Sequence, residues 1–207
     1  MIITALTSHP ARKGRIRVYI DGKYAFELSR KVVQNRHVSE GEELDPARLR
    51  ELQTIAAREA AIGLLARRER SRAELHTALK RKGIDESIIA EVMGRIEKEG
   101  LQSDTRFANA WVGTRRRLSP RGRAALAFEL KQKGIGDTDA AEALAKYKPG
   151  DERDAIRELI ALRVERFKGD KKAHEKFKLR LLAFLSRRGF AYDDIRSVLL
   201  SDFPDWS

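Results

Sequence analysis

The chain has 207 residues, 43 of them Lys or Arg against 31 Asp or Glu, with a formal charge of +12 and no cysteine. A chain of this size can bury a core, and the missing cysteines exclude disulfides and thiolate metal sites. The charge points to a polyanionic partner, either nucleic acid or a strongly acidic protein surface.

No apolar run reaches the length of a membrane span. Met1 to Leu6 is too short for the core of a signal peptide, so a cytoplasmic protein is expected.

Residues 1–45 read as a small β-rich extension. "RIRVYIDGKYAFELS" (15–29) alternates apolar and polar residues on both sides of Asp21-Gly22, which signals a hairpin. A strict two-residue turn would set Ile20, Val18 and Ile16 opposite Lys23, Ala25 and Glu27. An odd-length loop or a bulge at Gly22 is expected instead, because it puts Tyr24, Phe26 and Leu28 on the face of the first apolar set. "MIITALT" is a candidate third strand, "SRKVVQNR" a short helical turn, and "VSEGEELDP" a connector.

From Pro46 onward the apolar period is helical. Ser71 with Glu74 forms a capping box, and Asp85, Asp137 and Asp170 are further cap candidates. Ser119-Pro120 reads as a cap residue before a proline at the first helical position. Gly83, Gly134 and Gly189 each follow a basic turn, as a helix-stopping glycine does.

Aligned on these glycines, the chain repeats itself. Leu75, Leu126 and Leu181 share one column, and Leu79, Leu130 and Leu185 the next. After the glycine come Ile84, Ile135 and Phe190, then Ile89, Ala140 and Ile195. The last two columns are Val92, Ala143 and Val198, and Met93, Leu144 and Leu199. Room for one more helix precedes each glycine helix, at about 48–67, 103–117 and 151–168. The fold expected is mainly α: three tandem three-helix repeats (46–102, 103–149 and 150–207) behind the β element.

Catalytic patterns are missing. His9, His37, His76 and His174 fall in four separate segments without metal-ligand spacing. No phosphate-binding glycine loop or nucleophile elbow occurs, so no enzyme, cofactor or metal is expected. His76 reads as a structural, half-buried histidine. Trp111 shares a helix face with Phe107 and reads as core rather than as a base-stacking platform. Trp206 is given no role. Glu97, Glu99, Asp151, Glu152 and Asp154 read as solvated faces or first-turn acids.

Helix-end charge accounts for much of the basic pattern at 80–82, at Lys131 and Lys133, and at 187–188. It accounts less well for "RRRLSPRGR" (115–123). There Arg115, Arg116, Arg117, Arg121 and Arg123 have no acid among them, and a bound anion would offset their repulsion. "ARRERSR" places Arg67, Arg68, Arg70 and Arg72 at the same junction of the first repeat, diluted by Glu69. These nine arginines, with Lys131 and Lys133, form the candidate partner-binding surface. Residues 103–149 carry ten basic and five acidic side chains, the largest excess of any segment.

The stretch "LLARRERSRAELHTALKRKGIDESIIAEVMGRIEKEGLQSDTRFANAWVGTRRR" resembles the RecX family of RecA regulators. The resemblance rests on the R-x-R-S-x-x-E-L start, the K-G-I stop, the connector "EGLQSDTRFA" and the following W-V. Residues 119–144 and "FLSRRGFAYDDIRSVL" continue it, so that it covers about 54–204.

The resemblance implies an elongated, curved stack of three-helix repeats. It implies a non-enzymatic, cofactor-free regulator that binds RecA filaments and inhibits RecA's ATPase, strand exchange and coprotease activities. No individual residue role carries over. The third repeat departs from the pattern by lacking the S-x-x-E-L box. A monomer is expected, with weak sequence-independent binding to single- or double-stranded DNA. The alternative is a direct DNA-binding helical-repeat protein. A helix-turn-helix reader is disfavoured because the helices after the glycines begin "DESIIAEV", "GDTDAAEA" and "YDDIRSVL", without base-reading side chains.

Overall fold

The computed structural model describes residues 1–167 and 171–204, with the side chains of Pro149 and of 171–173 left aside. The cap candidate Asp170 and Trp206 lie outside the described residues. The chain forms two compact units, Met1–Ser103 and Asp104–Ser207.

The first unit opens with an antiparallel sheet of β1 (Ile3–Ser8), β2 (Arg15–Ile20) and β3 (Lys23–Ser29), with β2 in the centre. The hairpin differs from expectation. Asp21 and Gly22 make a tight two-residue turn, with φ of 46° and 78°, and Ile20 pairs with Lys23. This is the doubly left-handed geometry that matches strand twist.

The extra residue is Ala25, which lies between the pairs Tyr19–Tyr24 and Val18–Phe26. The bulge thus falls one pair beyond the turn. It still brings Val18, Phe26 and Leu28 to the buried face, whereas Tyr24, before the bulge, stays exposed. The turn and the burial pattern are both satisfied because a bulge can sit anywhere between them.

A short helix, α1 (Arg30–Asn35), follows the sheet. The sheet's apolar face then meets α2 (Pro46–Leu65). Ile3, Val18, Phe26 and Leu28 share one core with Val38, Leu44, Leu52 and Ala56. Glu59 of α2 ties the two together, accepting from Arg15 Nη1 at 2.7 Å and from the Ser29 N–H at 2.8 Å. The β element therefore shares its core with the first repeat.

On its other face α2 packs with α3 (Arg72–Lys80) and α4 (Glu86–Lys98), burying Ala57, Ala61, Leu75, Leu79, Ile89 and Met93. Ser71 Oγ accepts from the Glu74 N–H at 3.1 Å, and Asp85 accepts from the Ser87 N–H at 2.8 Å, so both expected caps form.

The second unit holds α5 (Asp104–Leu118), α6 (Arg123–Gln132) and α7 (Asp137–Ala145), then α8 (Pro149–Glu165), α9 (Lys171–Arg187) and α10 (Tyr192–Asp202). Each set of three has its own core, one around Leu126, Leu130 and Tyr147 and the other around Ile156, Leu185 and Ile195. Every leucine of the first two repeat columns is buried.

Gly83, Gly134 and Gly189 have φ of 76°, 74° and 81°, the left-handed conformation that stops a helix. The Ile135 and Phe190 N–H groups reach back to the carbonyls of Leu130 and Leu185, which closes the stop.

Two cap expectations fail in this unit. Asp137 is the first helical residue, and Gly136 occupies the cap position. Ser119-Pro120 does not start a helix, because α6 begins at Arg123 with Gly122 as the cap residue. The reason is tertiary. The Gly122 N–H donates to the Arg188 carbonyl at 2.9 Å, and Arg188 Nη1 donates to the Pro120 carbonyl at 3.0 Å. The loop 119–122 is thus fastened to the stop that ends α9. The missing side-chain cap is supplied from α8, where Glu152 Oε1 accepts from the Arg123 N–H at 3.0 Å.

Candidate partner-binding surface

The arginines of 115–123 follow from the geometry of that junction. Arg115, Arg116 and Arg117 close α5, where cations oppose the negative helix end. Arg115 Nε donates to Glu129 Oε2 at 2.8 Å, and Arg116 Nη2 donates to Asp151 Oδ1 at 2.5 Å. Arg123 Nη1 donates to the Tyr147 carbonyl at 2.7 Å. Arg121 Nε is buried 3.6 Å from Glu129 Oε1, without a hydrogen bond. Arg117 is exposed and has no ion pair among the described residues. Acids distant in sequence therefore neutralise much of a run that looks unscreened on paper.

Trp111 organises one side of this surface. Its indole N–H donates to the same Glu129 Oε2 at 2.9 Å, Arg115 lies 4.6 Å from its ring centre and Lys133 lies 5.0 Å from it. The ring also stacks on Phe107 at 5.9 Å and borders the core, as the face-sharing expectation holds. One carboxylate thus serves Trp111, Arg115 and Arg121.

A second basic group adjoins Arg121. Arg163 of α8 and Arg188 both lie on the Phe184 ring, at 3.5 and 4.5 Å. Burial pushes the Arg188 guanidinium's pKa down, and the like charges of Arg121 and Arg163 push it further the same way. Nothing in the sequence spacing links these three arginines, because loop, helix and helix end meet through the Gly122–Arg188 hydrogen bond.

Lys131 is exposed on α6 without a described ion partner, and Phe128 is 61% exposed three residues before it, on the same helix face. Leu118, at the end of α5, is also exposed. Sequence reasoning missed Phe128. Its signal was available: an aromatic residue beside the buried Leu126 and Leu130 columns but out of phase with them.

In the first unit, Arg68 pairs with Glu74 at 2.8 Å and Arg72 with Glu97. Arg70 donates to the Leu64 carbonyl at 3.5 Å, and burial, then the charge of Arg68, lowers its pKa. Arg67 is exposed and has no described ion partner. His76 is half-buried beside Glu86, 2.5 Å away, a structural pairing.

Of the acids read as solvated faces or first-turn acids, Glu152 is a first-turn acid that is shielded from solvent. It is 6% exposed, and burial raises its pKa even though the Arg123 N–H opposes the shift.

No group of three or more His, Asp or Glu among the described residues could hold a metal ion. No described helix is long and apolar enough to cross a membrane. The helices after the glycines carry acids in their first turns: Glu86, Asp137 with Asp139, and Asp193 with Asp194. Fold and surface together define a tandem three-helix-repeat protein with a small N-terminal sheet and exposed basic side chains.

Comparison with known proteins makes this specific. Models of the first, second and third three-helix domains of RecX match residues 57–95, 103–144 and 151–199 in order. The regulatory protein RecX of Mycolicibacterium smegmatis is 36% identical over 171 residues, covering 80% of this chain and 89% of that protein. The regulatory protein RecX of Bacillus subtilis is 31% identical over 203 residues, 95% of this chain and 75% of that one.

Two crystal structures share the fold. A regulatory protein RecX has TM-score 0.63 at 21% identity, covering 96% of this chain and 98% of that chain. RecX from Lactobacillus salivarius has TM-score 0.64 at 24% identity, covering 72% of this chain and 95% of that chain. The chain belongs to the RecX family of regulatory proteins.

Proposed function

We propose that this protein regulates a RecA recombinase by binding RecA–DNA filaments through its basic surface, lowering RecA's ATPase, strand-exchange and coprotease activities. Membership of the RecX family carries this reading. It is supported by exposed cations spread over several helices rather than gathered in a catalytic pocket, which suits an extended polyanionic target.

Arg117 and Lys131 are the filament contacts favoured most, since neither has an acid partner among the described residues. Arg67 joins them from the first unit. Arg115, Arg116, Arg121 and Arg123 keep a supporting role, because acids or a carbonyl of the protein already engage them. Arg68, Arg70, Arg72 and Lys133 are secondary contacts in the same sense. Contacts of this kind are salt-sensitive.

A second reading is sequence-independent DNA binding, which the exposed Phe128 ring beside Lys131 favours as a stacking surface. Co-sedimentation separates the two. The protein should pellet with preassembled RecA–DNA filaments and remain soluble with the same DNA alone at physiological salt. Equal pelleting with bare DNA would replace the first reading by the second.

A further inference from the structure

The first unit contains a half-open cleft of about 700 Å³ between β3, α2 and the turn joining α3 to α4. That is the size of a small-ligand or peptide pocket. Its floor is aliphatic, from Ala56, Ala60, Leu64, Ile84 and Ile88, and Tyr24 stands exposed at its mouth.

The charges lining it divide into two sets. Its acids are already held within the protein. Glu27 pairs with Arg12 at 3.0 Å, Glu59 pairs with Arg15 at 2.7 Å, and Asp85 accepts from the Ser87 N–H and hydroxyl at 2.8 and 2.6 Å. Three of its cations are not held. Arg67, Arg81 and Lys82 are exposed and have no ion partner among the described residues.

Helix-end placement explains why cations occur near 80–82. It does not explain why two helix ends, with Arg67 just past α2 and Arg81 and Lys82 just past α3, meet at one apolar cleft. Gly63 adds a separate observation. It lies within α2 and lines the cleft, and a Cβ built on it would meet nothing within 4 Å. No neighbour in the described structure requires a glycine there, although glycine weakens a helix. A bare backbone at this point leaves the cleft floor open for a close approach.

We propose that this cleft is a docking site for an acidic peptide segment of a partner protein. One apolar side chain of the segment would sit on the aliphatic floor, and flanking carboxylates would face Arg67, Arg81 and Lys82. The β element then has a function, because β3 and the Arg12–Glu27 and Arg15–Glu59 pairs form the cleft's other wall.

A nucleic-acid strand fits less well. Bases gain most from aromatic faces, but the floor is aliphatic and Phe26 is buried in the core. Tyr24 is packed edge-on against Tyr19 at 6.0 Å. The inference does not depend on the filament reading: Arg67 is common to both, but the aliphatic floor, Arg81 and Lys82 are not, and the readout is peptide binding.

The test is fluorescence anisotropy of the full chain with a short fluorescein-labelled peptide in which aspartates and glutamates flank one phenylalanine. Replacing that phenylalanine by alanine should weaken binding about tenfold, the scale of one buried aromatic side chain. The triple variant Arg67→Gln, Arg81→Gln, Lys82→Gln should also weaken it about tenfold. Gly63→Glu should abolish it, because the new carboxylate occupies the floor and pairs with the rim. That variant replaces glycine by a better helix former, so retained helical circular dichroism and melting temperature distinguish blocked binding from unfolding.

Failure of the parent to bind the peptide would overturn the proposal. So would binding that is indifferent to Gly63→Glu and to the triple variant, or to loss of the phenylalanine. Displacement of the peptide by oligodeoxythymidylate of equal charge, with the alanine peptide binding as well as the original, would reassign the cleft to nucleic acid and likewise overturn it.

Discussion

Gly122→Ala probes the junction that builds the second unit. Gly122 has φ −71° and ψ 160°, conformations open to any residue, so backbone preference alone would make alanine harmless. A smaller set of unfolded conformations would even favour alanine by about 0.4–1 kcal/mol. The surroundings decide otherwise. A Cβ on Gly122 would lie 1.9 Å from the Gly189 carbonyl oxygen, 2.2 Å from its carbon and 2.4 Å from the Phe190 nitrogen.

All three atoms are backbone, so no side-chain rotation relieves the overlap. The loop 119–122 and the α9 stop must move apart by about 1.5 Å to reach ordinary contact. That displacement breaks the 2.9 Å bond from Gly122 to Arg188 and strains the 3.0 Å bond from Arg188 to Pro120. Each such loss in a buried setting costs about 1–3 kcal/mol, so a net destabilisation of about 3 kcal/mol is expected. Urea unfolding followed by tryptophan fluorescence reads this unit, because both tryptophans lie beyond Ser103. Gly136→Ala is the control, at the equivalent cap position of α7 with open space around it, and should change stability by less than about 1 kcal/mol. A Gly122→Ala midpoint equal to that of the control would refute the packing argument.

Glu152 should make the second unit pH-sensitive. Its folded pKa lies above the ordinary glutamate value because of burial, so its contribution is present at acid pH and lost as pH rises through the folded value. Glu152→Gln, which can still accept from Arg123, should therefore gain on the parent as pH rises from about 4 to 7. A pH-independent difference would contradict this.

Tyr147 is buried, its hydroxyl finds no hydrogen-bond partner among the described residues, and burial, with the nearby Glu152 charge, pushes its pKa up to about 12. Tyr147→Phe should be neutral or stabilising by up to about 1 kcal/mol in the same urea assay, since it removes an unsatisfied group. Ser71→Ala should cost about 1 kcal/mol in the first unit through loss of the α3 cap, seen as faster amide exchange in the first turn of α3.

The repeats were legible in the sequence because helix packing imposes a period on apolar residues and a glycine on each left-handed stop. Leu79, Leu130 and Leu185 could be aligned on Gly83, Gly134 and Gly189 without coordinates, and all three are fully buried. The charges were legible only in their number. Whether Arg115 is a spare cation depends on Glu129, fourteen residues away, and Arg116 is paired by Asp151 from another repeat. An ion pair has no period, so its partner emerges only from tertiary proximity.

Glu152 is the first-turn acid its position suggests, and only the approach of the α6 start buries it. At Gly122, next to Ser119-Pro120, the absent side chain is what lets two backbones meet, a contact with no periodic signal. The surface that remained after pairing was smaller than the arginine run suggested, and it included Phe128, which charge counting could not reveal.

The account's central claim is that exposed cations without an acid partner among the described residues of this RecX-family chain act on a RecA filament. The direct measurement is the DNA-dependent ATPase rate of the cognate RecA, titrated with the parent protein and with the double variant Arg117→Glu, Lys131→Glu. Neither side chain pairs with an acid among the described residues, so the variant should fold as the parent does, which its tryptophan emission checks. The parent should suppress the ATPase. The variant should need at least about tenfold more protein for the same suppression, with the difference shrinking as salt rises. Equal suppression by a folded double variant at every salt concentration would contradict the claim.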